Sequence, residues 1–253
     1  MAESTNPVGL PGTSSRQSGE PSGPPVRHSR VVRITHWVVT FCFFALLVTG
    51  IEIVISHPRF YWGEEGNVNT PPWFSLPIPS SRGSVPTGYA FVLPDQNGWS
   101  RALHFQSAWI LVPTGLYYLI SSLRSGHVRR NLMPTLGDLS PTALLRCGVN
   151  HLRFRPSATS PGYNPLQRIS YLIVILGAFP LVIWTGLAMS PAFTSAFPFF
   201  VDVLGGHQSA RTLHFFATVF LTLFLLAHLL MIYRTGFGKL TRAMITGNVE
   251  KNS

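Results

Sequence analysis

Four histidines are the residues of this chain whose types and spacing could do chemistry. His214 and His228 lie fourteen residues apart in the last apolar stretch, and His36 and His104 each lie near the start of an earlier one. Fourteen residues make nearly four whole helical turns, so His214 and His228 share one helix face, ~21 Å apart along its axis. Neutral imidazole is a common metal ligand, and an ionisable side chain inside a bilayer usually has a function. The pattern predicts metal-ligating side chains at two depths of a membrane.

The elements that must position these histidines are four apolar segments. They cover approximately residues 35–56, 99–123, 166–189 and 212–233. Each is long enough to cross the roughly 30 Å hydrocarbon core of a bilayer as a helix. Charged residues make up only 11% of the chain and lie almost entirely outside these segments. The sequence therefore predicts an all-α membrane protein, a four-helix transmembrane bundle surrounded by membrane lipid.

The net charge of +10 is distributed over alternate connections. Basic residues precede the first predicted span, fill the connection between the second and third, and follow the fourth. The first outer connection has only Arg59 and Arg82, and residues 190–210 have no Lys or Arg. The positive-inside rule places the basic segments in the cytoplasm, so both termini are predicted to be cytoplasmic. The charge is explained without a nucleic-acid partner.

The apolar segments also divide the chain into parts. Residues 1–26 are rich in Pro, Gly and Ser and are predicted to be a disordered cytoplasmic tail. Residues 27–240 form the predicted four-span domain, and 241–253 a short cytoplasmic tail. The long outer connection 57–98 contains Trp62 and Trp73, which favour a partly ordered cap where a partner docks. The basic loop 124–165 is either solvated or contains a short helix near 141–150.

Depth decides how the histidines pair. With a cytoplasmic N-terminus, the first span runs outward and places His36 on the inner side. The second and fourth spans run inward, which places His104 and His214 on the outer side and His228 on the inner side. Matched depths pair His36 with His228 and His104 with His214. Each pair could bind one haem iron from opposite faces, and two such ligands suit electron transfer better than oxygen binding. A buried polar residue bonded to a neighbouring helix remains the alternative for any single histidine.

The cysteines restrict the type of cofactor. The chain has two, Cys42 inside the first span and Cys147 in a cytoplasmic loop, so a disulfide between them is not expected. There is no C-x-x-C-H motif for covalent haem, no cysteine cluster for an iron–sulfur centre, and no Gly-rich nucleotide loop after a strand. The predicted cofactors are therefore two non-covalent b-type haems, and another protein must supply the substrate chemistry.

An Arg-x-x-His pattern begins three of the spans. It reads Arg33 to His36, Arg101 to His104 and Arg211 to His214, while Arg168-Ile-Ser-Tyr171 begins the third span with Tyr in place of His. Arg and His three residues apart share a helix face. Such an arginine could grip a haem propionate bidentately, or it could only anchor the helix end at the lipid headgroups. Both interpretations of each arginine stay open.

Small and acidic residues inside the spans add weaker signals. Gly50, Gly115 and Gly186 would let a flat macrocycle approach the backbone, although glycine is also common where membrane helices touch. Pro113 and Pro180 are expected to kink their helices. Glu52 is the acid inside the predicted spans, and it could relay protons or face a partner helix.

These residues together resemble a known family. Arg33-Ile-Thr-His36-Trp37, Arg101-Ala-Leu-His104-Phe105, Tyr163-Asn-Pro-Leu-Gln-Arg168, and Ala210-Arg-Thr-Leu-His214 with His228 are similar to the di-haem cytochrome b subunits of bacterial respiratory complexes. That family includes the membrane subunits of Ni,Fe-hydrogenases, formate dehydrogenases and thiosulfate reductases. The resemblance covers approximately residues 30–236.

The resemblance implies a location and a set of roles. It implies a multi-pass protein of the bacterial inner membrane in which His36 and His228 hold the cytoplasmic haem, and His104 and His214 the periplasmic one. It also implies a quinone site near the cytoplasmic haem and electron exchange with a periplasmic catalytic subunit. Asn164 and Gln167 are the quinone contacts carried over from the family, and a polar cap opening the third span is their alternative.

Three functions compete on this evidence. The preferred one is an electron-transfer subunit between the quinone pool and a periplasmic oxidoreductase, with a molybdenum enzyme of the thiosulfate- or sulfite-handling kind as the first expected partner and a hydrogenase as the second. The next is a stand-alone quinone-coupled di-haem reductase or superoxide oxidase. The third is a haem-free membrane transporter or assembly factor.

Overall fold

The computed structural model describes residues 29–67, 69–78, 97–126, 128, 133, 134, 140, 142, 145 and 165–247. The long helices among them are α1 (Arg30–Ser56), α2 (Asn97–Arg124) and α7 (His207–Thr246). A third spanning helix is built from α3 (Pro165–Leu172), a π-helical segment (Ile173–Ala178) and α4 (Phe179–Ala188). The one-turn helices α5 (Pro191–Thr194) and α6 (Phe199–Asp202) connect α4 to α7. Two short strands, β1 (Arg59–Phe60) and β2 (Phe74–Ser75), follow α1.

Three helices in the described part of the chain are long and apolar enough to cross a membrane. They are Arg30–Ser56, Leu166–Ala188 and His207–Thr246. The predicted span at 99–123 is also a continuous helix, the 28-residue α2. This helix is long enough to cross a membrane, but it is not among the helices that are also apolar enough to do so. Its place in the membrane therefore stays a prediction.

Small side chains pack α1 against α2. The buried residues of α1 are Thr35, Cys42, Thr49 and Ser56, each seven positions after the last. A seven-residue repeat keeps one seam of a helix facing its partner, and small residues let two helix backbones approach closely. Ser100 and Ser107 of α2 are buried with the same spacing.

The π-helical segment precedes Pro180 in the third spanning helix. Proline has no N–H and its ring crowds the preceding turn, so a regular α-helix cannot run unchanged through it. Here the backbone hydrogen bonds change to the wider π-helical pattern over Ile173–Ala178 before α4 begins. Val174 and Ala178 of the widened turn pack with Leu221 of α7 in one apolar cluster. Pro113, by contrast, lies within continuous α2.

Helix α7 is longer than the predicted fourth span. Its 40 residues would extend ~60 Å if straight. It bends at Gly236, whose φ of 122° and ψ of 82° lie in a region that favours glycine. After the bend the chain returns to α1, where the Trp37 Nε1 donates to the Met244 carbonyl at 3.4 Å and the Arg33 guanidinium donates to the Ile245 carbonyl. The helix thus runs on to Thr246, well beyond residue 233.

An ordered cap follows α1. Strands β1 and β2 pair antiparallel, with Phe60 opposite Phe74. The Phe60 side chain is 1% exposed and stacks on Phe74 at 4.6 Å, with Phe215 of α7 at 4.5 Å on ring centroids. The Thr212 hydroxyl donates to the Tyr61 carbonyl at 2.7 Å. The first part of the predicted outer cap is therefore docked on the start of α7.

Several predicted segments lie outside the described residues. These are the tail 1–26, the outer residues 79–96, Cys147, Asn164 and most of the predicted cytoplasmic helix at 141–150.

Candidate functional site: two facing histidines between helix pairs

The structure brings His104 and His214 face to face. His104 lies near the start of α2 and His214 near the start of α7. Their ring centroids are 6.3 Å apart, with 60° between the ring planes. They are the outer pair that equal depth predicts. Since α1 packs on α2 and α4 packs on α7, the two rings meet across the space between two helix pairs.

Each of these imidazoles is held by a threonine of its packed partner helix. Thr49 of α1 lies 2.9 Å from His104, measured from Oγ1 to Nδ1. Thr185 of α4 lies 3.0 Å from His214 between the same atoms. Both threonines are 0% exposed. With Nδ1 engaged on both rings, Nε2 is the nitrogen left to bind a metal.

A glycine follows each of these threonines in sequence. A Cβ added at Gly50 would lie 3.7 Å from His104 Cε1, and one added at Gly186 would lie 3.5 Å from His214 Cε1. These are ordinary contact distances, so an alanine at either position would touch the ring without overlapping it, and a larger side chain would enter the space of the ring. Of the Thr-Gly pairs in the chain, the one near the end of α1 and the one near the end of α4 each face a histidine near the start of the next long helix.

The spacing of the two rings fits one metal ion held between them. Metal–imidazole bonds of about 2 Å, with roughly 1 Å from each nitrogen to its ring centre, put the centroids on the order of 6 Å apart. Within the described ranges, no group of three or more His, Cys, Asp or Glu side chains could hold a metal ion by itself. Two facing imidazoles therefore suit a metal whose remaining ligands come from a macrocycle, as in haem with two axial histidines.

The inner pair is described less fully. His36 of α1 meets Trp37 edge to face, with ring centroids 5.6 Å apart. His228 stacks on Phe224, one turn earlier in α7, at 6.0 Å and 16°. Both histidines are half-buried. Their pairing with each other stays a prediction.

The arginines of the Arg-x-x-His pattern have separate surroundings. The Arg211 guanidinium donates to the His57 carbonyl and to the Arg59 carbonyl, the latter at 2.9 Å, and lies 5.1 Å from the centre of the Phe60 ring. Arg33 binds the end of α7, as described above. Two of these arginines therefore hold backbone of other segments, a role that neither earlier interpretation included. The propionate role stays a prediction for both.

The remaining candidate residues lie at helix starts. Arg101 is exposed in the first turns of α2. Arg168 donates from Nη1 to the Met133 carbonyl at 3.5 Å, and Gln167 is half-buried in the first turn of α3. Their roles toward haem and quinone stay predictions.

Thr49 and Thr185 are the site residues that reasoning from the sequence missed. The signal was present as a Thr-Gly dipeptide near the end of two spans. Nothing in one sequence, however, shows which histidine a threonine on another helix will meet.

Comparison with known proteins gives the chain its family. The sequence profile described as prokaryotic cytochrome b561 matches residues 27–247. A relative from Azospira oryzae (strain ATCC BAA-33 / DSM 13638 / PS) is 28% identical over 206 residues, which is 81% of this chain and 89% of that protein. Its name describes it as a candidate protein-methionine-sulfoxide reductase subunit, YedZ1. No solved structure matches the chain. The match over most of the chain and the apolar helices agree with the resemblance to bacterial cytochrome b membrane subunits. The chain belongs to the prokaryotic cytochrome b561 family, whose members are helical membrane proteins that carry b-type haem and transfer electrons.

Proposed function

We propose that this protein is the di-haem membrane subunit of a bacterial oxidoreductase, carrying electrons between the quinone pool and a periplasmic catalytic subunit. The observation that carries the proposal is the pair of facing imidazoles, His104 and His214, at 6.3 Å. Bound haem supplies reversible one-electron transfer. His104 and His214 would hold the outer haem, and His36 and His228 would hold the inner one.

The four-span topology is part of this proposal, and the surface of α2 supports it. Three of its four serines, Ser100, Ser107 and Ser122, are buried. Leu111 is buried as well, but many of its large apolar side chains are exposed, Trp109 by 66%. The exposed set includes Leu103, Trp109, Ile110, Leu116, Tyr117, Ile120 and Leu123. An apolar exterior around a polar seam suits a helix surrounded by lipid rather than water.

The four residues of the outer site lie at one level of the helix bundle, which supports helices that run in alternating directions. Thr49 lies near the end of α1 and Thr185 near the end of α4, while His104 and His214 lie near the starts of their helices. Contacts at one level between ends and starts require helices that alternate up and down. With the basic connections on the cytoplasmic side, we propose that both termini are inside and that the paired rings lie toward the periplasm.

The quinone site is proposed on the cytoplasmic side, near the start of α3. Gln167 and Asn164 are the amides available to bind quinone oxygens there. Oxidation of one quinol releases two electrons and two protons. The two electrons leave singly, and the side chains nearest the oxygens must accept or pass on the protons.

The relative's name guides the choice of partner. We propose that a periplasmic reductase of oxidised methionine in proteins receives the electrons from this chain. The sulfoxide takes two electrons and two protons and gives the thioether and one water, which balances the oxidation of one quinol. The ordered cap at 57–78, with Trp62 and Trp73 exposed, offers the outer surface where such a subunit would dock.

Quinol-driven reduction tests the electron-transfer proposal. We would place the purified full-length protein in liposomes, add ubiquinol or menaquinol, and follow the haem absorbance bands. The proposal expects rapid haem reduction by at least one quinol, and slower reduction after Gln167→Ala. Thr222→Val, a change in the middle of α7, is the control and should reduce as fast as wild type. Haem that dithionite reduces and neither quinol reduces would contradict coupling to the quinone pool.

A further inference from the structure

We propose that Thr49 and Thr185 are positioning residues that fix the tautomer and orientation of His104 and His214, and thereby lower the reduction potential of the outer haem. The inference rests on the proposed function, because it assumes that these two imidazoles are the axial ligands. It is carried by the hydrogen bonds around the two threonines.

The hydroxyl protons decide which way these hydrogen bonds run. A threonine hydroxyl has one proton to donate and two lone pairs to accept with. The Thr49 hydroxyl lies 2.7 Å from the Ala45 carbonyl, and the Thr185 hydroxyl lies 2.8 Å from the Leu181 carbonyl. A carbonyl can only accept, so each hydroxyl proton is used within its own helix.

When the hydroxyl proton is used in this way, the imidazoles are the donors. With its proton directed at the preceding turn, each hydroxyl offers a lone pair to the histidine, at 2.9 Å for His104 and 3.0 Å for His214. An acceptor at this position requires Nδ1 of the ring to carry the hydrogen. The neutral imidazole then keeps its lone pair on Nε2, where it can bind iron. The threonines thus select the tautomer that a metal ligand needs.

Burial makes this selection strong. Both threonines are 0% exposed, so no water replaces the hydroxyl without a change of packing. A buried donor left without an acceptor is destabilising. Gly50 and Gly186 leave space beside the rings, because a Cβ added there would already contact Cε1 at 3.7 Å and 3.5 Å. Each ring is held by a buried hydroxyl at Nδ1.

The hydrogen bond also affects the electronic state of the metal. An acceptor on the N–H of a ligating imidazole raises the basicity of the ligand. A more basic ligand stabilises ferric over ferrous iron, and second-shell hydrogen bonding is one of the means by which a protein sets a haem potential. Each ligand of the outer pair has a threonine hydroxyl as its hydrogen-bond partner, so the two effects on the potential act in the same direction.

The test uses the full-length protein with its haems, and measures the midpoint potential of each haem by redox titration together with the ferric low-spin EPR signals. The variants are Thr49→Val and Thr185→Val, which keep the shape and remove the hydroxyl, and Thr49→Ser and Thr185→Ser, which keep it. Thr222→Val is the matched control. Thr222 is a half-buried threonine of α7 whose hydroxyl binds its own helix at the Thr218 carbonyl, 2.8 Å away.

Each Val variant should shift the ferrous-to-ferric equilibrium of the outer haem about tenfold toward ferrous, which raises its midpoint potential by ~59 mV for one electron. The EPR signal of that haem alone should change. The Ser variants and Thr222→Val should match wild type, and the double Val variant should shift further. A Val variant that loses the outer haem while its Ser counterpart keeps it also supports the inference.

Two results would overturn the inference. One is a fully loaded Val variant with the wild-type potential and EPR signal. The other is an equal change in the Val and Ser variants, which would assign the effect to packing. Failure of the proposed function is distinguishable, because wild type would then bind no haem or His104→Ala would keep both haems. Failure of the inference alone leaves wild type with both haems and His104→Ala without the outer one.

Discussion

The outer site depends on a small number of atoms at the level of single residues. A threonine hydroxyl engages each of two imidazoles, and the glycine that follows each threonine leaves space beside the ring. The sequence predicts the histidines because imidazole in an apolar run is conspicuous and because depth limits which of them can meet. It does not predict the threonines, since threonine in a membrane helix usually only binds its own preceding turn, as Thr40 and Thr222 do here.

A prediction at this scale concerns Gly186. A Cβ at this position would meet His214 Cε1 at 3.5 Å, so alanine should be accepted, whereas the longer side chain of leucine would occupy the space of the ring. We expect Gly186→Ala to keep the outer haem and Gly186→Leu to lose it, measured as haem per chain. Gly177→Leu is the control, because a Cβ there would meet nothing within 4 Å. Outer haem retained in Gly186→Leu would show that the ring does not need this close approach.

At the level of elements, the apolar segments of the sequence predict the helices but do not predict how the connections fold. Apolar length predicts α1, the Leu166–Ala188 helix and the first part of α7 well. The bend at Gly236 and the return of α7 to α1 depend on contacts with Trp37 and Arg33, which lie about 200 residues earlier. The cap likewise depends on long-range contacts, chiefly those of Arg211 and Phe60. No local pattern reveals such contacts.

The cap gives a prediction about Arg211. Its guanidinium holds the carbonyls of His57 and Arg59, and a hydrogen bond to a charged group contributes about 1.5–3 kcal/mol. We expect Arg211→Gln to speed backbone hydrogen exchange over residues 57–62, measured by mass spectrometry, and to leave α1 unchanged.

Arg101→Gln is the matched control, since this exposed arginine has the same place in the Arg-x-x-His pattern. It should leave exchange in the cap at the wild-type rate. If Arg211→Gln shifts the potential of the outer haem and leaves the cap unchanged, the propionate role is the correct one for Arg211.

At the scale of the whole molecule, the described residues form two packed helix pairs with imidazoles between them. Helix α1 packs on α2 through small residues, α4 packs on α7, and His104 meets His214 where the pairs face each other. His228 lies ~21 Å further along α7, on the same face. One long helix therefore carries a candidate ligand for each of the two proposed sites, at different depths, as electron transfer across a membrane would need.

The most direct measurement is the haem content of the purified protein, from the reduced-minus-oxidised spectrum and the haem-to-protein ratio. We expect two b-type haems per chain in wild type, and one in each of His104→Ala and His228→Ala. His207→Ala should keep both, because His207 begins α7 and its Nε2 lies 3.5 Å from Glu64 Oε1 in the cap. A well-folded wild type without haem, or a His104→Ala variant that keeps both haems, would contradict the account.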